Sequence, residues 1–118
     1  SKPQFVEEIF NGNKKFEYRK NIFKRKGITS VVIYSTMPVG KIVGEFDIGD
    51  ILIDTPKLLW EKTKNYSGTT EDFYDNYFMD RTKGYAIKIE SLKKYKEPIC
   101  PYKKFEKFTA PQSFKYLV

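Results

Sequence analysis

The sequence predicts an α+β fold, a curled mixed β-barrel with short flanking helices, and three observations carry that prediction. Stretches that alternate apolar with polar residues, or run β-branched, recur along the chain. Shorter stretches with apolar residues at helical spacing, opened by proline or threonine, stand between them. Gly44 and Gly49 interrupt the longest strand candidate, as bulges and sharp bends do where a sheet curls. Strands, helices and a long crossover in this order give an α+β mixed sheet, and the strand–helix units are too irregular for a flavodoxin-like alternation. A chain of 118 residues fits one domain, taken as 1–118, and is long enough to bury a core.

Residues 3–11 read as a helix. Pro3 suits its first position, Phe5, Val6, Ile9 and Phe10 form its stripe, and Asn11-Gly12 stops it. Lys14 to Arg19 alternates, with Phe16 and Tyr18 on one face and Lys15, Glu17 and Arg19 on the other. Lys20 to Gly27 is a basic connection. Val31 to Thr36 is a buried strand, Met37 to Gly40 a turn, and Lys41 to Ile53 a long strand. Residues 56–65 are helical, opened by Pro56 and anchored by Leu58, Leu59 and Trp60. Thr69 or Thr70 caps a further helix, with Asp72 in capping-box position to Thr69 and a stripe of Phe73, Tyr74, Tyr77 and Phe78 that reads as core. Gly84 to Leu92 alternates again. Lys93 to Lys107 reads as an irregular basic tail and Phe114 to Val118 as a closing strand.

The charge is unevenly placed. The chain carries 22 Lys and Arg against 15 Asp and Glu. Residues 1–41 sum to +6, 42–90 to −4 and 91–118 to +5. If the cationic ends meet in the fold they form one positive face that attracts polyanions. A lysine-rich soluble surface is the plainer account of the same numbers. Ten Phe and nine Tyr argue against disorder.

The absences bound the chemistry. With no histidine there is no Ser-His-Asp triad and no histidine-ligated metal. One cysteine, Cys100, allows no intrachain disulfide and no cysteine-cluster metal site, and between Pro98 and Pro101 it reads as a small apolar filler. No cofactor and no metal are expected. No apolar run is long enough for a membrane span or a signal-peptide core, so the expectation is a soluble, cytoplasmic protein.

The most informative stretch is Gly12-Asn13-Lys14-Lys15-Phe16-Glu17-Tyr18-Arg19. A glycine ends a helix and a strand follows at once, bearing a lysine, a glutamate and an arginine. A guanidinium two residues from a carboxylate on one strand face can orient it and still offer donors to phosphate or a base edge. An ordinary solvated ion pair, worth about 0–1 kcal/mol, is the alternative.

That stretch, from Lys2-Pro3 through Arg19, resembles the opening of activating-signal-cointegrator homology (ASCH) domains, which carry a Pro-started helix and then G-x-K-x-x-E-x-R. Here Gly12, Lys14, Glu17 and Arg19 fill the pattern without a gap. Ile33-Tyr34-Ser35-Thr36, Ile42-Val43-Gly44-Glu45, Gly84-Tyr85-Ala86-Ile87 and Pro111-Gln112-Ser113-Phe114 extend the likeness, which is thin between Asp54 and Lys83. The resemblance implies a PUA-like fold with a cleft suited to RNA or a nucleotide, lined by Lys14, Glu17 and Arg19, with Tyr34, Ser35 and Thr36 as weaker candidates. Single-stranded RNA is read by stacking and by hydrogen bonds to base edges, and these side chains are of the right kind.

The expected function is therefore nucleic-acid binding, RNA first, rather than catalysis. An enzymatic branch of the family hydrolyses N4-acetylcytidine with a threonine nucleophile at the position of Glu17 and an activating lysine beside it. Glu17 offers no hydroxyl, so that activity is disfavoured, and Thr36 or Ser35 would have to substitute. As a ribonuclease, Lys14 and Glu17 would be the catalytic candidates. A regulatory module that binds a small ligand is the third reading. The cation-and-ring stretches Lys93-Lys94-Tyr95-Lys96 and Tyr102 to Phe108, with Lys24-Arg25-Lys26, can extend a nucleic-acid surface or simply be solvated. The oligomeric state is not encoded legibly.

Overall fold

The computed structural model describes residues 1–102 and 115–118. The expectations placed on Lys103, Lys104, Phe105, Lys107 and Phe108, and on Pro111 to Phe114, lie outside the described residues.

Helix α1 (Pro3–Phe10) starts at proline, whose missing N–H costs nothing at a first helical turn, and buries Val6 and Ile9. Strands β1 (Phe16–Arg19), β2 (Ser30–Ser35) and β3 (Lys41–Asp54) follow. Helix α2 (Pro56–Thr63) runs into a 3₁₀ turn at Lys64–Tyr66, and α3 (Glu71–Tyr77) leads to β4 (Gly84–Ile99); β5 (Lys115–Leu117) ends the chain. The α3 cap is Thr70, whose hydroxyl accepts from the Phe73 N–H at 3.2 Å, so the Thr69–Asp72 capping box does not form.

The five strands form one mixed sheet in the order β1-β4-β3-β2-β5, antiparallel except for the parallel β2–β5 pair. The edge strands β1 and β5 are not hydrogen-bonded to each other, so the expected barrel is an open, curled sheet. Side chains approach across the gap: the Arg19 guanidinium lies 5.4 Å from the centre of the Tyr116 ring.

β4 corrects the expectation of an irregular basic tail after Lys93, since the strand continues to Ile99. Nearly every side chain from Glu90 to Pro98 is exposed, so no buried face imprints a period of two on the sequence. The pairing is also broken: the step from Lys94 to Ile99 on β4 faces only the step from Gly44 to Ile42 on β3. Gly44 is required by close approach, because a Cβ there would stand 2.5 Å from the Lys93 carbonyl and 2.7 Å from the Phe10 ring.

Two apolar clusters fill the interior. One joins Val6 and Ile9 of α1 to Val31, Ile33, Phe46, Ile87 and Val118. The other joins Tyr18 to Leu59, Tyr74, Phe78 and Ala86. Of the expected α2 anchors, Leu59 is fully buried and Trp60 packs on Tyr74, but Leu58 is 48% exposed. Among the described residues no helix is long and apolar enough to cross a membrane.

Candidate functional site

The loop between α1 and β1 is pinned from three sides. The Lys14 N–H bonds the Glu8 carbonyl, the Lys15 N–H bonds the Tyr66 carbonyl, and the Lys15 carbonyl accepts from Ile89. Lys14 also bridges Ser67 as an isolated β-pair. Gly68 then passes so close that a Cβ on it would overlap Lys14 Cβ and stand 2.8 Å from Lys14 Cγ; its φ of +63° suits glycine independently. These constraints send the Lys14 side chain inward. Its Nζ donates to the Ser67 carbonyl at 3.0 Å and lies 4.6 Å from the centre of the Tyr18 ring.

β1 then places Glu17 and Arg19 two residues apart beside a cavity of about 240 Å³. Lys14, Glu17, Tyr18 and Arg19 wall it from the strand side, Phe5 and Lys2 from α1, and Thr69, Phe73, Tyr74 and Tyr77 from the α3 side. At roughly 30 Å³ per water the cavity holds about eight waters. It is smaller than the roughly 300–1,000 Å³ of drug-sized sites.

The polar interior is unusual. Lys14 is 6% exposed and Glu17 9% exposed. Glu17 Oε2 and Arg19 Nε are both shut off from solvent and have no hydrogen-bond partner among the described residues. No hydrogen bond or ion pair joins Glu17 to Arg19 among the described residues, so the anticipated orientation of the carboxylate by the guanidinium is not formed. An unsatisfied buried polar group costs about 1–3 kcal/mol, and more if charged.

Burial pulls the Lys14 ammonium below its ordinary pKa, against the upward pull of the Glu17 carboxylate. Burial likewise raises the Tyr18 phenol to about 12, and its hydroxyl lies 2.7 Å from that of Thr63. Because the Thr63 hydroxyl donates to the Leu59 carbonyl, Tyr18 is the donor to Thr63, which fixes its ring against the cavity. Tyr74 and Tyr77 are also pushed up by burial.

Lys14, Glu17 and Arg19 thus meet at one cavity. Tyr34, Ser35 and Thr36 are not in its wall. Ser35 is 2% exposed, and a Cβ added at Gly40 would lie 3.9 Å from the Tyr34 hydroxyl, at the turn after β2. The aromatic wall escaped the sequence reading. Tyr74 and Phe78 are indeed core, at 2% and 3% exposure, but Phe73, Tyr74 and Tyr77 also face the cavity. The sequence offered only the i, i+4 spacing of Phe73 and Tyr77 on one face of α3, which does not separate a cavity wall from core. No group of three or more Cys, Asp or Glu residues among those described is placed to hold a metal ion.

A family profile described as "ASCH domain" matches residues 2–97. The chain is 29% identical over 90 residues to the large ribosomal subunit protein uL22 of Ureaplasma parvum, covering 76% of this chain and 29% of that protein. It is 28% identical over 113 residues to the ATP synthase subunit alpha of the same organism, covering 95% of this chain and 14% of that one. The chain therefore spans less than a third of the curated relatives it matches. Among solved structures, ASCH from Zymomonas mobilis superimposes with a TM-score of 0.81 at 26% identity, over 100% of this chain and 84% of that one. A tyrosine-to-phenylalanine variant of that protein gives 0.82 at 24% identity, over 100% and 86%.

Proposed function

The chain belongs to the ASCH domain family, and on that premise we propose that it is an RNA-binding module that takes one base into the cavity beside Glu17 and Arg19. The observation that carries this reading is the pair of buried, unpartnered atoms Glu17 Oε2 and Arg19 Nε in a cavity walled by rings. Glu17 accepts from an exocyclic amine or ring N–H, and Arg19 donates to a carbonyl or ring nitrogen; neighbouring donors and acceptors of this kind form every base's pairing edge. Tyr18, Phe73 and Tyr77 supply stacking surface, worth about 1–3 kcal/mol per base. Lys14, turned onto the Ser67 carbonyl, offsets the Glu17 charge from within. The reading gives no role to Tyr34, Ser35 or Thr36. A related segment within a protein named as a ribosomal subunit component is in keeping with an RNA partner.

The test is binding of a fluorescent single-stranded RNA to wild type and Arg19→Ala. The expected Kd is about 10⁻⁴ to 10⁻⁶ M at physiological salt. Losing a donor to a base should weaken binding by about tenfold to a hundredfold. No RNA binding at low salt would overturn the proposal.

One observation favours a second reading. A buried lysine with a lowered pKa shares the cavity with a carboxylate, an arrangement able to exchange a proton with a bound substrate. Hydrolysis of RNA or an acetylated nucleoside, lost in Lys14→Met and Glu17→Gln, would establish it. No turnover across both substrate classes would remove it. A thermal shift with a free nucleotide and no response to RNA would instead indicate a small-ligand module.

A further inference from the structure

We propose that Lys2 and Lys20 form a phosphate-binding rim at the mouth of the cavity, so that the bound base arrives on a phosphorylated nucleotide; this rests on the RNA reading above. The cations singled out by the sequence motif are poorly placed for that task. Lys14 Nζ is spent on the Ser67 carbonyl and the side chain is buried. The Arg19 guanidinium lies against Tyr116, with its Nε shut off from solvent. A nucleotide whose base fills the cavity still carries a phosphate that needs a counter-charge outside.

Lys2 and Lys20 stand where that charge is wanted. Lys2 Nζ lies 5.0 Å from the centre of the Phe73 ring, and Lys20 Nζ lies 4.8 Å from that of Tyr77. Both rings line the cavity, as does Lys2 itself. Phe73 and Tyr77 are four residues apart on α3, so their side chains rise from one face, about 5–6 Å apart at Cβ. Two ammonium groups are thereby laid on two adjacent rings of a stacking wall. Each ring draws its cation by the quadrupole and leaves the outward N–H donors to solvent or phosphate.

The charges nearby also set a direction. Past Phe5 and Phe73 the cavity opens toward a groove lined by Glu7, Glu8 and Asn13. Acids there repel a phosphate, whereas Lys20 and Tyr77 lie at the other end of α3. The acids thus bias a phosphate toward Lys20, whereas Lys2, over Phe73, stands at the boundary between the cavity and the acidic groove.

The experiment compares three ligands, a nucleoside, its 5′-monophosphate and a short single-stranded RNA, on wild type, Lys2→Gln/Lys20→Gln and Lys94→Gln/Lys96→Gln. The last pair removes equal charge from the exposed part of β4. Wild type and the β4 variant should bind the monophosphate more tightly than the nucleoside. The rim variant should lose that preference and show a log–log salt slope for RNA smaller by about 1.4, or about 0.7 per phosphate contact. An unchanged preference for phosphate, or an equal loss in the β4 variant, overturns the rim. A wild type that binds no ligand of the three overturns the RNA reading itself, and the rim with it.

Discussion

Replacing Gly68 by alanine tests how the fold aims Lys14. Two costs add at this position. A φ of +63° is disfavoured for a residue with a Cβ, by about 1–2 kcal/mol. The new methyl would also overlap Lys14 Cβ and stand 3.0 Å from Lys14 Cα. These are backbone-proximal atoms that cannot swing away, so overpacking adds about 1–3 kcal/mol. Gly12 is the internal control: its φ is +88°, yet a Cβ there meets nothing within 4 Å. Gly12→Ala should therefore show the conformational cost alone, and Gly68→Ala should exceed it by about 1–3 kcal/mol. At about 4 °C per kcal/mol, the two variants should melt about 4–12 °C apart. Urea unfolding and thermal melts of both variants give the difference, and Gly68→Ala should in addition weaken RNA binding by shifting Lys14. Equal melting of the two, within about 0.5 kcal/mol, would refute the claim that Gly68 is a spacer for Lys14.

Three further outcomes follow. Thr70→Ala should destabilise by about 1 kcal/mol, measured by urea unfolding, while Thr69→Ala should cost less, because Thr70 holds the α3 cap. Tyr18 is held neutral in the folded state, up to about 12. Its contribution of about 2–3 kcal/mol is present below its ordinary pKa and is lost as pH rises through the folded value. Stability measured from neutral to alkaline pH should thus fall less steeply in Tyr18→Phe, which at neutral pH should be weaker by about 1 kcal/mol for its lost bond to Thr63. Lys14 has the opposite sign: its folded pKa lies below the ordinary 10.5, so the unfolded chain holds the proton longer and stability rises with pH across that interval. Lys14→Met should abolish the rise; a rise that persists in the variant would assign it elsewhere.

What the sequence showed and what it hid divide along physical lines. α1, β2 and β3 were legible almost to the residue, because each buries a face that imprints its period: Val6 with Ile9, Val31 with Ile33, Ile42 with Phe46. The second half of β4 buries no continuous face, so the sequence carried no period to read. Glu17 was assigned to the face opposite Tyr18, which would normally be solvated, yet both are buried. A strand covered on both faces does not announce itself in four residues. The motif led to Lys14, Glu17 and Arg19, which meet at one cavity, but its wall is assembled from α1, β1 and α3. The rings that α3 contributes are indistinguishable in sequence from core, and one of them, Tyr74, also belongs to a core cluster. Lys2 and Lys20 matter only through the rings beneath them, a relation that exists only in three dimensions.

The central claim is one of place, that a base enters the cavity between β1 and α3. The most direct measurement is backbone-amide NMR of the labelled protein titrated with a short single-stranded RNA. The account predicts that the largest shifts fall on residues 14–20 and 69–77, and that these shifts vanish in Glu17→Gln/Arg19→Ala while that variant's spectrum stays folded. Shifts concentrated on the exposed end of β4, residues 91–99, with 14–20 unmoved, would contradict it.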